Sequence, residues 1–250
     1  MDPYFWQIPT LVGVGVIAGF LNVLAGGGSL LTLPLLIFIG LPAAVANGTN
    51  RIGIFCQNLF AISGFRKQGV FPIRLALLCS VPALIGSFVG ANLAVDMDEM
   101  LFRRLLAAIM IGVLIFTLID PMRRWPIGLQ RWSPWRIAVL IVTFFVVGVY
   151  GGFVQAGVGF LVISGLLVHG LDLVRINAVK VIVIFAFTIV ALGVFIAHQQ
   201  VDYVLGLALA VGNSAGGWVA THAAVKKGHD WIKKIVSLTV LAFAVKLLIG

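Results

Sequence analysis

The chain repeats itself at a fixed offset of 130 residues, without a gap. Gly27 falls on Gly157, Leu31 on Leu161, Gly40-Leu41 on Gly170-Leu171 and Asn47 on Asn177. Further along, Ile54-Phe55 falls on Ile184-Phe185, Phe65 on Phe195, Val81 on Val211 and Gly86 on Gly216. The basic pair Arg103-Arg104 falls on Lys233-Lys234, a match in charge rather than identity. An ungapped register across two apolar halves predicts a duplicated membrane bundle, and such folds are mostly transporters. The expected organisation is a first repeat over 1–120, a cytoplasmic linker over 121–135 and a second repeat over 136–250.

Composition supplies the solvent. Hydrophobic residues make up 61% of the chain and charged residues 10%, where soluble domains carry roughly a quarter charged. Mean hydropathy is +1.15. Several runs reach the ~18 apolar residues needed to cross a hydrocarbon core. Backbone groups in that core must be satisfied within a helix or a closed barrel, and the runs lack the alternating polarity of barrel strands. The expected fold class is therefore an all-α polytopic membrane protein, two inverted five-segment repeats with broken or short helices and about 8–10 transmembrane spans. The formal charge of +9 sits mostly in short connections and forms no basic face, so nucleic acid is not an expected partner. Cys56 and Cys79 lie inside apolar runs and read as small hydrophobes rather than a disulfide framework. The N-terminal Met1-Asp2-Pro3-Tyr4-Phe5-Trp6 has neither Lys nor Arg and no small-residue cleavage site, so the first apolar segment is expected to be retained.

Five apolar segments are read in each repeat: Ile8–Leu24, Ser29–Ile39, Ala43–Phe65, Ile73–Val95 and Leu101–Ile119, then Arg136–Val154, Val158–Val168, Ile176–Ala197, Tyr203–Val225 and Trp231–Ile249. Charges set their direction. Connection 66–74 carries Arg66, Lys67 and Arg74, and the linker carries Arg123, Arg124, Arg131 and Arg136. Connection 96–100 carries Asp96, Asp98 and Glu99, while 198–202 has no Lys or Arg and 226–234 carries Lys226, Lys227, Lys233 and Lys234. Equivalent loops differ in charge between halves, as an inverted repeat requires. The linker is expected in the cytoplasm and both termini outside, in a multi-pass protein of the inner membrane. Arg103-Arg104 is the one basic pair on the outer side of this arrangement.

Two segments are too short. Ser29–Ile39 spans about 17 Å as a helix against a core of about 30 Å, and Val158–Val168 is as short. Each follows a break, Ala25-Gly26-Gly27-Gly28 in one half and Gln155-Ala156-Gly157 in the other. Short, Gly-interrupted segments in matching positions point to a transporter's binding site. Converging N–H groups and the start of a helix at Ser29 favour an anion there. Gly86/Gly90 and Gly212/Gly216 instead read as packing glycines.

A polar cluster follows each short segment: Asn47, Thr49, Asn50 and Arg51 in one half, Asn177 and Lys180 in the other, with Asn50 and Lys180 equivalent under the offset. Arg51 has two open readings, anion binding or snorkelling to the interface. Lys180 is expected to matter more for transport. The candidate substrate-binding set is Asn22, Gly26, Gly27, Gly28, Ser29, Asn47, Thr49, Asn50, Arg51, Gln155, Gly157, Gly159, Asn177 and Lys180. Asn22, Gln155 and Asn213 also have a plainer reading as helix-to-helix hydrogen-bonding groups. Every Asp and Glu sits at a segment end or in a connection, so carboxylate-coordinated cation transport is not expected. No His pair has metal-ligand spacing, and no metal or cofactor is expected.

The run Gly19-Phe20-Leu21-Asn22-Val23-Leu24-Ala25-Gly26-Gly27-Gly28-Ser29, followed by Leu33-Pro34-Leu35-Leu36 and Gly40-Leu41-Pro42, resembles the sulfite exporter TauE/SafE family. So do Gly148-Val149-Tyr150-Gly151-Gly152-Phe153-Val154-Gln155-Ala156-Gly157-Val158-Gly159 and Asn177-Ala178-Val179-Lys180-Val181. The second half departs from the first in having Ser164 where Pro34 stands and a looser glycine pattern. The resemblance covers essentially the whole chain and implies an inner-membrane permease for sulfite, sulfonates or related small anions.

The expected function is a secondary transporter of sulfite, sulfoacetate or a similar sulfonate, an exporter working by alternating access. The expected partners are that anion, the lipid bilayer, a coupling ion (proton or sodium) and a second copy in a homodimer. The alternatives are a passive anion channel or uniporter, an uptake permease and, remotely, a membrane subunit of an enzyme. No Ser-His-Asp set, His-Glu-x-x-His or phosphate loop supports an enzyme.

Overall fold

Because the apolar runs cannot leave backbone groups open, they form helices, and the offset of 130 carries into their boundaries. The computed structural model describes residues 4–118, 133–167 and 171–249. The first half holds α1 (Tyr4–Leu24), α2 (Ser29–Phe38), α3 (Ala43–Lys67), α4 (Ile73–Val95) and α5 (Glu99–Leu118). The second holds α6 (Pro134–Phe153), α7 (Val158–Leu167), α8 (Leu173–Ala197) and α9 (Tyr203–Ile249). Adding 130 to the bounds of α3 gives those of α8, and adding it to the first residues of α1 and α4 gives those of α6 and α9. The expected segments over 203–225 and 231–249 are joined into one element, interrupted at Gly228 (φ 74°, ψ −166°). Most of the 121–135 linker, the Val168 end of the seventh segment and His169 lie outside the described residues. No strand occurs among the described residues.

Among the described residues, five helical stretches are long and apolar enough to cross a membrane: Phe5–Leu24, Ile73–Val95, Pro134–Phe153, Leu173–Ala197 and Tyr203–Gly228. The outward faces of these helices are apolar, with Leu77, Val81 and Ile85 on α4 and Val142 and Val146 on α6 all exposed. The 25-residue α3 is long enough but too polar for that group. Its Asn47, Thr49, Asn50, Arg51, Gln57 and Asn58 are all buried, which a helix surrounded by protein tolerates and a lipid-facing one does not. The short α2 and α7 have ten residues each.

Two glycine seams fix which helices touch. A Cβ built on Gly86 or Gly90 of α4 would lie 2.1 Å from Phe145 O or 1.9 Å from Val149 O of α6. On α9, a Cβ at Gly212 or Gly216 would lie 2.2 Å from Val12 O or 1.9 Å from Val16 O of α1. The packing role expected of these four glycines is what the fold uses them for. Each seam joins the first helix of one half to the fourth helix of the other, and contact positions rise together along both chains, so α1 runs with α9 and α6 with α4. The central pair is opposed. On α3 and α8, Phe55 stacks on Phe185 (5.0 Å between centroids) while Arg51 lies over Phe195, so these helices run antiparallel.

Those directions sort the charges. One end of the bundle gathers the end of α3, the starts of α4, α6 and α8 and the Gly228 break, with Arg66, Lys67, Arg74, Arg136, Arg175, Lys226, Lys227 and Lys234 against Asp172. The opposite end carries Asp96, Asp98, Glu99 and Asp202 against Arg103 and Arg104. Arg103 is paired there with Glu99 at 2.7 Å, and Glu99 also accepts the backbone N–H of Ala43 at the start of α3 (2.8 Å). The basic pair that stood against the sequence-based topology is therefore embedded in an acidic end.

The seams make a stability prediction. Gly90→Val should cost about 1–3 kcal/mol through overpacking, read as a lower melting temperature in detergent. Gly193→Ala, whose added carbon meets nothing within 4 Å, should leave melting unchanged or raise it.

Candidate functional site

The two breaks meet. Gly26, at φ +86°, sits so close to Gly159 that a Cβ on either would fall 2.2–2.5 Å from the other's backbone. Positive φ and this approach both require glycine at position 26. Ser29, first residue of α2, ties the breaks together: its hydroxyl donates to Gln155 O (3.1 Å) and accepts from Gly157 N (3.3 Å). Gly28 serves α2 differently, since a Cβ there would strike Ala18 O of α1 at 1.9 Å. The carbonyl of Gly27 accepts the backbone N–H of Leu30 at 3.0 Å, inside the first turn.

A helix that ends at a break leaves carbonyls without intrahelical partners, and its terminus carries partial negative charge. The polar cluster of the opposite half supplies the donors. Lys180 of α8 donates to Asn22 O (3.0 Å) and Val23 O (2.6 Å) at the end of α1, and to Asn177 Oδ1 (2.7 Å). Asn177 Nδ2 donates to Leu24 O (3.1 Å). In mirror fashion, Arg51 of α3 donates to Gly151 O (3.0 Å) and Gly152 O (2.6 Å) at the end of α6, and Asn47 Nδ2 to Phe153 O (2.8 Å). Lys180 is 1% exposed and Arg51 0%. Snorkelling, the second reading of Arg51, is thereby overturned: its guanidinium points into the bundle, 4.7 Å from the centre of the Phe195 ring.

The two cations are not equally free. Three acceptors match the three protons of the Lys180 ammonium, which leaves that group no donor for a ligand. Arg51 keeps its buried Nε without a partner, and the adjacent Asn50 keeps its Nδ2 likewise. Asn47 Oδ1, about one turn earlier on α3, and Gln155 Oε1, at the second break, are buried acceptors without partners. Buried donors without acceptors are rare in folded proteins and mark a place that water or a ligand completes. Sequence reasoning expected Lys180 to matter more for transport than Arg51; in this geometry it is Arg51 that keeps an idle donor.

Thirteen of the fourteen candidate residues thus sort into three groups. Gly26, Ser29, Gln155, Gly157 and Gly159 come together at the junction of the breaks, with Gly27 and Gly28 leading into it. Asn22, Asn177 and Lys180 surround the end of α1, and Asn47 and Arg51 the end of α6, with Asn50 beside them on α3. Thr49 goes elsewhere, its hydroxyl accepting Asp202 N (2.8 Å) ahead of α9. The plainer reading of Asn22 and Gln155 also has its counterpart, in hydrogen bonds to Gln57 (3.2 Å) and Thr188 (2.6 Å). Sequence reasoning passed over five contributors: Thr32, which donates to Asn50 Oδ1 (2.7 Å), Gln57, Thr188, Phe195, and Tyr150, whose hydroxyl donates to Ala156 O. Thr32 and Thr188 were visible as isolated hydroxyls within apolar runs. No group of three or more His, Cys, Asp or Glu side chains that could hold a metal occurs among the described residues.

A family model described as sulfite exporter TauE/SafE matches residues 11–247. The chain belongs to the TauE/SafE family. Among its relatives, this TauE/SafE protein is 25% identical over 249 residues to "Probable membrane transporter protein ORF9" of Sinorhizobium sp, covering 99% of this chain and 94% of the relative. It is 25% identical to a "Probable membrane transporter protein" of Haemophilus influenzae, with 94% and 92% covered. A third relative, "Probable membrane transporter protein YfcA" of Escherichia coli (strain K12), is also 25% identical, with 98% and 92% covered. No solved structure gives a significant match.

Removing the Lys180 ammonium leaves two carbonyls and an amide oxygen without their donor. Lys180→Met should therefore destabilise the TauE/SafE bundle by about 1.5–3 kcal/mol, the worth of a charged hydrogen bond. Thermal unfolding in detergent checks this, and Lys180→Arg should recover part of the loss.

Proposed function

We propose that this TauE/SafE protein is a secondary transporter of small sulfur-containing anions, with sulfite or a sulfonate such as sulfoacetate as cargo. Transport is outward across the inner membrane, by alternating access of two inverted halves that form repeats over 1–120 and 136–250 around a cytoplasmic linker. The names of the relatives, all probable membrane transporter proteins, support a transport role over an enzymatic one. The observation that carries the reading is the junction of the two breaks, each flanked by a buried cation from the opposite half. Antiparallel α3 and α8 and the basic and acidic ends support the inversion, with the basic end cytoplasmic.

In this reading the breaks are touching in an occluded state, since Gly26 against Gly159 leaves no room even for a methyl group. Rocking of one half against the other parts them, and the anion enters where the breaks had touched. Arg51 Nε and Asn50 Nδ2 meet it as charge-assisted and neutral donors, joined by N–H groups near the start of α2. Lys180 stays on the end of α1 and keeps that helix terminus in place. The coupling ion is a proton or sodium. A passive uniporter on the same scaffold is the second reading, favoured by the position of Asp96, Asp98, Glu99, Asp172 and Asp202 at helix ends rather than mid-helix.

Purified protein in liposomes should move labelled sulfite or sulfoacetate, and Arg51→Gln should lower flux at least about tenfold, the loss of one charge-assisted contact. A folded protein that moves no small sulfur oxyanion would sink the substrate assignment. Accumulation against a gradient under an imposed pH or sodium difference separates coupled transport from the uniporter. For the inversion, single cysteines at Gln68 and Gln199 should react with impermeant reagents from opposite faces of the membrane; reaction from one face for both would end the inverted-repeat reading.

A further inference from the structure

A groove of about 760 Å³ runs along the outer side of the bundle between α3 and the first half of α9, away from the breaks. Its α3 wall is formed by Phe60, Ser63 and Lys67, one face of the helix, and its α9 wall by Ser214, Ala215 and Trp218. It opens toward the bilayer, for Phe60 is 49% and the neighbouring Val211 64% exposed. From Cys56, where the lining begins, to Lys67 the helix rises about 17 Å, close to the ~15 Å depth of one leaflet's hydrocarbon. The groove thus has the length of an acyl chain's path, with its mouth at the basic end of the bundle. There Lys67 Nζ lies 5.1 Å from the centre of the Trp218 ring.

The duplication supplies an internal control. Shifting the lining by 130 residues gives the equivalent surface between α8 and α4, at the acidic end. There Ala197 stands for Lys67, Gly193 for Ser63 and Phe88 for Trp218. Leu84 and Ile85 stand where the groove has the small Ser214 and Ala215. One half therefore has small residues on its α9 wall, an interfacial Trp and a cation; the other has larger residues on the matching α4 wall and no charge. A cation and Trp at headgroup level beside an apolar channel match an anionic lipid, and basic groups near a surface attract such lipids by about 1 kcal/mol each.

We infer that the groove between α3 and α9 binds an anionic phospholipid of the leaflet at the basic end, its phosphate on Lys67 and one acyl chain over Ser214 and Ala215. The site is independent of the transported anion, and its test reads no flux.

Trp218 serves as the reporter. In a variant whose other tryptophans (Trp6, Trp125, Trp132, Trp135 and Trp231) are Phe, reconstituted in mixed vesicles, brominated phosphatidylglycerol should quench Trp218 with about fivefold higher apparent affinity than brominated phosphatidylcholine, the equivalent of about 1 kcal/mol. Lys67→Gln should abolish that preference while leaving quenching by both lipids. Ser214→Leu with Ala215→Ile, which copies the opposite half, should reduce quenching by either lipid. Equal affinity for the two lipids in the otherwise unaltered background overturns the inference, as does a preference that survives Lys67→Gln. Trp218 shielded from both quenchers also overturns it, and would mean that a second copy of the chain covers the groove.

Discussion

A helix that stops inside a protein leaves its last carbonyls facing a region without bulk water, and something must donate to them. In this bundle α1 and α6 both stop in that way, and in both cases the donor comes from the other half of the chain. Lys180 holds the end of α1 and Arg51 the end of α6. The positive charges offset the negative ends of two helix dipoles, so two groups that would be costly to bury alone are buried together. The breaks, the short helices after them and the contact between Gly26 and Gly159 all depend on those ends staying fixed.

Reciprocity has a mechanical meaning. Neither half can move relative to the other without disturbing the cation that one holds against the other's broken helix. Yet Lys180 and Arg51 are differently bound. The ammonium has all three protons engaged, while the guanidinium has two contacts, an aromatic ring and one idle donor. A planar fork with donors in reserve can exchange one acceptor for another more readily than a point charge whose contacts are complete. In the transport reading, the first half's cation is the one that responds to substrate and the second half's is the one that anchors.

Much of this architecture was legible in the sequence, for a physical reason. Helix boundaries follow from where apolar runs stop, and the offset allowed each half to check the other; α3 and α8 have equal length to the residue. The packing glycines were legible because closely approaching helices need small residues at regular spacing. The partners of the polar groups were not. Lys180 reaches a carbonyl 158 positions away, and no local pattern encodes such a contact. Thr49 looked like a member of the same cluster as Asn50 and Arg51, yet helical geometry turns it toward Asp202. Arg51 was ambiguous because an arginine near a helix start satisfies itself equally well in headgroups or on carbonyls; only the third dimension separates those cases.

The stack of Phe55 on Phe185 lies between residues that the 130-residue offset makes equivalent. Where two copies of a unit are related by rotation, a side chain that touches its own counterpart must lie next to the axis. Any substitution there in a single-length chain pairing with itself would be introduced twice, on both sides of one contact. Joining the copies into one polypeptide lifts that constraint, so a large residue on one side can answer a small one on the other. That two phenylalanines still face each other leaves the contact between α3 and α8 marked by a pair of flat rings, surfaces able to slide across one another with little change in buried area.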